Sequence, residues 1–132
     1  MEDSITINRA FQALLEDFNH PNPNINKEAF ANMHIYFPNK SKLFLINNLK
    51  SNNVEIRRKS VKALAYFGTS IISEIVELYL KSSILTLRVS CLKVLVKLSA
   101  KNNLDDYFND LLPIFELAVK DESVEITLTV IS

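Results

Sequence analysis

NNVEIRRKSVKALAYFG, residues Asn52 to Gly68, is the stretch whose reading decides the fold. It opens on a polar turn, continues as an amphipathic helix and stops at the only glycine of the chain. An offset of 31 residues brings it back as SILTLRVSCLKVLVKLS, Ser83 to Ser99. The same offset backwards gives a weaker copy, PNPNINKEAFANMHIYF, Pro21 to Phe37. A fourth copy, DESVEITLTVIS, starts at Asp121 and reaches Ser132 still incomplete. Self-similarity at such a period is the mark of a stacked helical array.

The copies align residue by residue. Ile25, Ile56, Leu87 and Ile126 are equivalent, at spacings of 31, 31 and 39. Ala29, Ser60, Cys91 and Val130 share a mostly small position; Met33, Leu64 and Leu95 share a large one. A small side chain lets helices approach, and a large one a turn later fills the remaining gap. The eight extra residues of the third unit fall at Ala100 to Asp106, where a loop absorbs them at little entropic cost. A helical pair with one apolar stripe per helix cannot cover its outer faces alone, so copies must stack.

The expected order follows from apolar spacing and breakers. Ser4 to Phe18 has one apolar face, Ile7, Phe11, Leu14, Leu15 and Phe18. It forms an N-terminal capping helix over residues 4–19, ended by Pro21 and Pro23. Repeat 1 covers 22–51, with a helix from Asn24 to Phe37, a stop at Pro38 and a second helix N-capped by Ser41. Repeat 2 covers 53–82, with a helix to Phe67, a left-handed stop at Gly68 and a second helix capped by Thr69 or Ser70. That second helix is expected to bury Ile71 or Ile72, Ile75, Val76, Leu78 and Leu80. Repeat 3 covers 84–121, with a helix from Leu85 to Ser99 and a second over roughly Tyr107 to Lys120, Pro113 near its first turn. Residues 122–132 form a partial fourth repeat. The fold class is therefore all-α: a single domain, 1–132, built as an α-solenoid of about three full hairpins with incomplete terminal units.

Composition limits the functions. The formal net charge is zero, so no overall field draws the chain to nucleic acid or a membrane surface. Apolar residues make up 48%, enough for a core, and one glycine with four prolines favours helix over sheet. A lone Cys91 excludes an intrachain disulfide framework and fits a reducing compartment. No apolar run approaches the roughly 18 residues of a membrane span. The acidic start, MEDSITINRA, lacks the apolar core of a secretory signal. The many Asn, Lys and Ile residues point to an AT-rich genome.

The chain has no glycine-rich phosphate loop and no nucleophilic triad. His20 reads as a turn residue, His34 as a helix position facing a neighbour, and the two histidines and one cysteine lack metal-site spacing. Cys91, at the small position of its repeat, reads as a buried apolar residue. Asp105, Asp106 and Asp110 read as carboxylates at a helix start, where the dipole favours them; a paired acid/base couple is the alternative. Arg57, Arg58, Lys59 and Lys62 form a basic patch on one helix, with Lys93 and Lys97 on the next. The plain reading is a solvated face, with Arg57 and Arg88 as a structural ladder to acidic residues of adjacent turns. The other reading is a carboxylate-binding row, which the planar fork of arginine suits.

The skeleton Val54-Glu55-Ile56-Arg57, then Ser60, Ala63, Leu64 and Gly68, resembles a HEAT repeat. Arg88 repeats Arg57, while Asn26 and Thr127 stand there in the first and last units. TLRVSCLKVLVKLS (Thr86–Ser99), LPIFELAVKDESVEITLTVIS (Leu112–Ser132) and VEIRRKSVKALAYFG (Val54–Gly68) resemble the HEAT-like repeats of phycobilisome bilin lyases, nearest the phycoerythrin-associated, chaperone-like Z type. The resemblance implies assistance to bilin attachment or to folding of a phycobiliprotein subunit, with the acceptor cysteine on that subunit. It also implies a transient linear tetrapyrrole (a phycobilin) rather than a resident cofactor, a second lyase subunit as a further partner, and a cyanobacterial cytoplasm or plastid stroma. In such a protein Tyr36, Tyr79 and Tyr107 would stack on the pyrroles and Arg57, Arg58 or Arg88 would meet the propionates. These positions rest on side-chain chemistry, since no family motif falls on them.

The last helix, without a partner, would leave Ile126, Leu128, Val130 and Ile131 uncovered, which points to a homo-oligomer or heteromer through that end. Three functions compete: a bilin-lyase-related chaperone or lyase accessory, a HEAT scaffold for an unrelated protein, and a nucleic-acid-binding HEAT protein of the alkylation-repair type. The neutral charge speaks against the last.

Overall fold

The computed structural model describes residues 4–101, 111–114 and 116. Among them the chain is all-helical, with no strand. Six helices follow in order: α1 (Ser4–Phe18), α2 (Pro23–Tyr36), α3 (Pro38–Asn48), α4 (Val54–Leu64), α5 (Ile72–Lys81) and α6 (Leu85–Lys101). A 3-10 turn, Ala65–Ile71, joins α4 to α5, and residues 111–114 are helical.

The turns before α2, α4 and α6 are built alike. In each, a side chain accepts a hydrogen bond from the backbone N–H two residues on: His20 Nδ1 from Asn22 at 3.0 Å, Ser51 Oγ from Asn53 at 3.1 Å, Ser82 Oγ from Ile84 at 3.0 Å. These are local side-chain turns that halt the preceding helix and aim the next. Asn22 and Asn53 then serve as N-caps with nearly the same backbone, φ −82°, ψ 118° and φ −83°, ψ 115°. Asn22 Oδ1 accepts from Asn24 N at 2.9 Å and Asn53 Oδ1 from Ile56 N at 3.1 Å. Pro23 sits at the start of α2, where a missing amide costs nothing.

The core follows the aligned positions. Ala29, Ser60 and Cys91 are buried, and so are Met33, Leu64 and Leu95 one turn later. Helix α4 lies against both α2 and α6 through this small-then-large stripe, while α1 packs on α2, α3 on α2 and α4, and α5 on α6. The helices that pack together are thus adjacent in sequence or one removed, an order compatible with an α-solenoid. Each large side chain so covered contributes roughly 1.5–3 kcal/mol. Ser90 Oγ donates to the Leu49 carbonyl at 2.9 Å and ties α6 to the end of α3.

Several local expectations are corrected. Ser41 does not cap α3: it lies inside that helix, fully buried, and its hydroxyl donates to the Met33 carbonyl at 3.1 Å. Pro38 starts α3 rather than merely ending α2, and Phe37 is the hinge between them. Neither Thr69 nor Ser70 caps α5, which is entered through the 3-10 turn; the Ser70 hydroxyl donates to the Phe67 carbonyl instead. On α5 the buried residue of the last turn is Tyr79, and Leu80 faces out. Helix α6 runs through Ala100 to Lys101, past the expected end at Ser99. Gly68 has the positive φ expected of it, 64°, but with ψ −150° rather than a left-handed helical value.

By length and composition the helical stretch Val54–Lys81 is apolar enough to cross a membrane, which the sequence reading did not foresee. Gly68 breaks it, so it is two helices and a kink, with Leu64, Ile71, Ile72 and Ile75 inside the core. The acidic cluster Asp105, Asp106 and Asp110, the residue Tyr107, and the expected uncovered face of Ile126, Leu128, Val130 and Ile131 lie outside the described residues.

A candidate basic groove across three helices

The turn before α2 and the helix α4 face each other across an open groove of about 420 Å³. Pro21 and Pro23 form one wall, and Arg58, Lys59 and Lys62 the other. An adjoining hollow of about 210 Å³ is lined by Lys27, Phe30, Lys62, Tyr66 and Lys97. The two share Lys27, Phe30 and Lys62, so together they make one trough from α2 across α4 to α6.

Phe30 and Tyr66 form its floor, edge to face with ring centroids 6.1 Å apart. Phe30 is buried and held on its other side by Phe18 at 5.6 Å, so the floor is anchored in the core. Five cations rim this floor. Lys59 donates to the His20 carbonyl at 3.2 Å, and Arg58 pairs with Glu55 at 3.3 Å on the exposed surface. Among the described residues no ion pair involves Lys27, Lys62 or Lys97. Arg58 and Lys62 stand four residues apart on α4, as do Lys93 and Lys97 on α6. Like charges at that spacing destabilise a helix by roughly 0.2–0.5 kcal/mol each.

The residues expected to bind divide sharply. Arg58 lines the trough. Arg57 does not: its guanidinium turns back and donates to the Ser51 carbonyl at 2.6 Å. Arg88 lies over the Tyr79 ring at 4.8 Å and donates to its hydroxyl at 3.2 Å. Asn26, at the same repeat position, donates to the carbonyls of Asp17, Phe18 and His20 at 2.8, 3.1 and 2.7 Å. All three side chains reach back to the end of the preceding helix. Partners at this position include the Ser51 carbonyl for Arg57, the Tyr79 hydroxyl for Arg88 and three carbonyls for Asn26. Tyr79 is buried beneath Arg88 and presents no ring face to solvent. Tyr36 is 70% exposed but lies at the far end of α2, beside a separate apolar hollow with Ile7, Ala10 and Leu14. The structure brings Arg88 and Tyr79 together, while Tyr36 and Arg58 line separate hollows.

Lys27, Phe30 and Tyr66 were not singled out from the sequence, and Lys97 only as part of a patch. Their signal is present in the alignment: Lys27 is the 31-residue counterpart of Arg58, and Tyr66 of Lys97.

Cys91 is fully buried, and desolvation pushes its thiol from 9.0 up to about 12. It is a packing residue. His20 and His34 are apart, as expected; the His34 ring lies 4.6 Å from that of Phe67. Among the described residues no group of His, Cys, Asp and Glu has the makings of a metal site. Comparison with family models, curated proteins and solved structures found no match.

Proposed function

We propose that this chain is an α-solenoid of HEAT-like hairpins that acts as a binding scaffold for another protein, with the trough across α2, α4 and α6 as its docking surface. The observation that carries the reading is the trough itself: three helices in register place Lys27, Lys62 and Lys97 around an anchored aromatic floor. Three like turns and the small-then-large stripe support the repeat architecture. An aromatic floor backed by the core, with cations around it, suits recognition of a partner's surface. A photo-activatable residue placed at Lys62 should capture one polypeptide in an extract of the source cells, and the same residue at Lys81, on α5, should not. Equal capture from both positions, or from neither, overturns the docking surface.

A second reading keeps the resemblance to bilin lyases. The trough joins cations to aromatic rings, the chemistry that the propionates and planar pyrroles of a phycobilin require. In that reading Arg58, Lys62 and Tyr66 replace Arg57, Arg88 and Tyr79 as the contacting residues. Titration with a phycobilin should then shift its visible absorption, and Arg58→Ala with Lys62→Ala should remove the shift. An unchanged spectrum, together with no binding of an apo-phycobiliprotein subunit, ends it.

A further inference from the structure

The trough has a length, a charge pattern and a floor, and these narrow what it accepts. Neighbouring packed helices lie about 8–10 Å apart, so three in a row span roughly 20 Å. That is the length of about six residues of extended chain. The rim carries Lys27, Arg58, Lys62 and Lys97, and Glu55 stands among them, paired with Arg58. Pro21 and Pro23 close one side with a stiff apolar wall.

Resting on the scaffold reading above, we propose that the trough docks a short extended segment of an acidic partner protein. Its Asp and Glu carboxylates lie along Lys27, Lys62 and Lys97, and an apolar side chain between them rests on the half-buried Tyr66 ring, which the buried Phe30 supports from beneath. The charge complementarity is local. The chain as a whole is neutral, so the attraction comes from this face and not from a long-range field. Most of the rim cations are lysines, compact point charges whose ammonium groups donate to carboxylates over a range of angles. A nucleic-acid strand fits the lining less well. It would set phosphates in unbroken succession against Glu55 and the proline wall, where a peptide can place an apolar or neutral residue.

The test is a fluorescence-anisotropy titration of the full chain with a labelled peptide of about ten residues, Asp and Glu flanking a central Leu. Beside it run the same peptide with Asn and Gln for its acids, single-stranded and duplex oligonucleotides of matched label, and a phycobilin. Saturable binding of the acidic peptide is expected, weakened at least about tenfold by Lys62→Glu with Lys97→Glu and by raised salt, and unchanged by Lys81→Ala. Lys62→Gln with Lys97→Gln should give an intermediate loss, with circular dichroism confirming an intact helical fold in each variant. The proposal is overturned by any of four results: no saturable binding, equal binding of the amide peptide, equal binding by the reversed variant, or tighter binding of an oligonucleotide or the phycobilin. If the peptide fails while capture from position 62 persists, the scaffold stands and only the acidic chemistry of its partner is lost.

Discussion

Asn26 shows how one side chain can close a turn. Its single amide group meets three carbonyls at the end of α1; that of Asp17 also accepts from His20 N–H and that of His20 from Lys59, while that of Phe18 is buried. Asn26→Ala should lower stability by roughly 1–3 kcal/mol, the cost of losing a bond to a buried acceptor. Asn26→Asp should cost more, because a carboxylate of the same shape has no proton to give and faces those oxygens with like charge. Urea denaturation reads both, and an Asp variant as stable as the wild type would contradict the assignment. Cys91 gives a pH effect of known sign. Burial raises its thiol to about 12 from 9.0. Between those values the unfolded chain loses the thiol proton while the folded chain keeps it, so stability falls as pH rises. The fall is roughly 1.4 kcal/mol per pH unit within that window and is absent below it. The difference between wild type and Cys91→Ala in denaturant midpoint should shrink along that slope as pH rises past 9.0; a difference that stays constant would mean that the thiol is exposed to water.

At the scale of elements, the helices were legible because apolar residues recur every three or four positions and because the 31-residue offset repeats the whole pattern. The first helix, expected over 4–19, is described over Ser4–Phe18. Caps were less legible where a serine has two uses. Ser41 and Ser70 look like N-caps in sequence, yet Ser41 donates to the Met33 carbonyl of α2 and Ser70 to the Phe67 carbonyl within its own 3-10 turn. For Ser41, only the packing of α3 against α2 decides that. Likewise Leu80 and Tyr79 differ by one residue, and nothing in the apolar spacing says that Arg88 will cover the tyrosine. Gly68 has a consequence of its own. Its φ of 64° and ψ of −150° are poorly open to other residues, but a Cβ there meets nothing within 4 Å. Gly68→Ala should therefore cost about 1–3 kcal/mol through the backbone alone, with no change in core packing. Thermal unfolding tests this, and a neutral substitution would show that the α4–α5 kink can relax.

For the whole molecule, the buried positions were legible in the sequence, and the grouping of residues at the trough was not. The buried stripe is written in one-dimensional form at Ala29, Ser60 and Cys91 and again at Met33, Leu64 and Leu95. The trough is not, because it joins residues from three helices whose relative rotation depends on how those stripes seat. Arg57 and Arg88 repeat conspicuously and turn out to hold the turns; Lys27, Lys62 and Lys97 are spread along the chain and meet at one surface. The central claim is that α2, α4 and α6 lie side by side and present those lysines together. A short lysine-specific cross-linker applied to the monomer, followed by peptide mass spectrometry, tests it most directly. Links from Lys62 to Lys27 and to Lys97 are expected; if Lys62 joins Lys42 or Lys81 instead, the three helices do not share a face and the account fails.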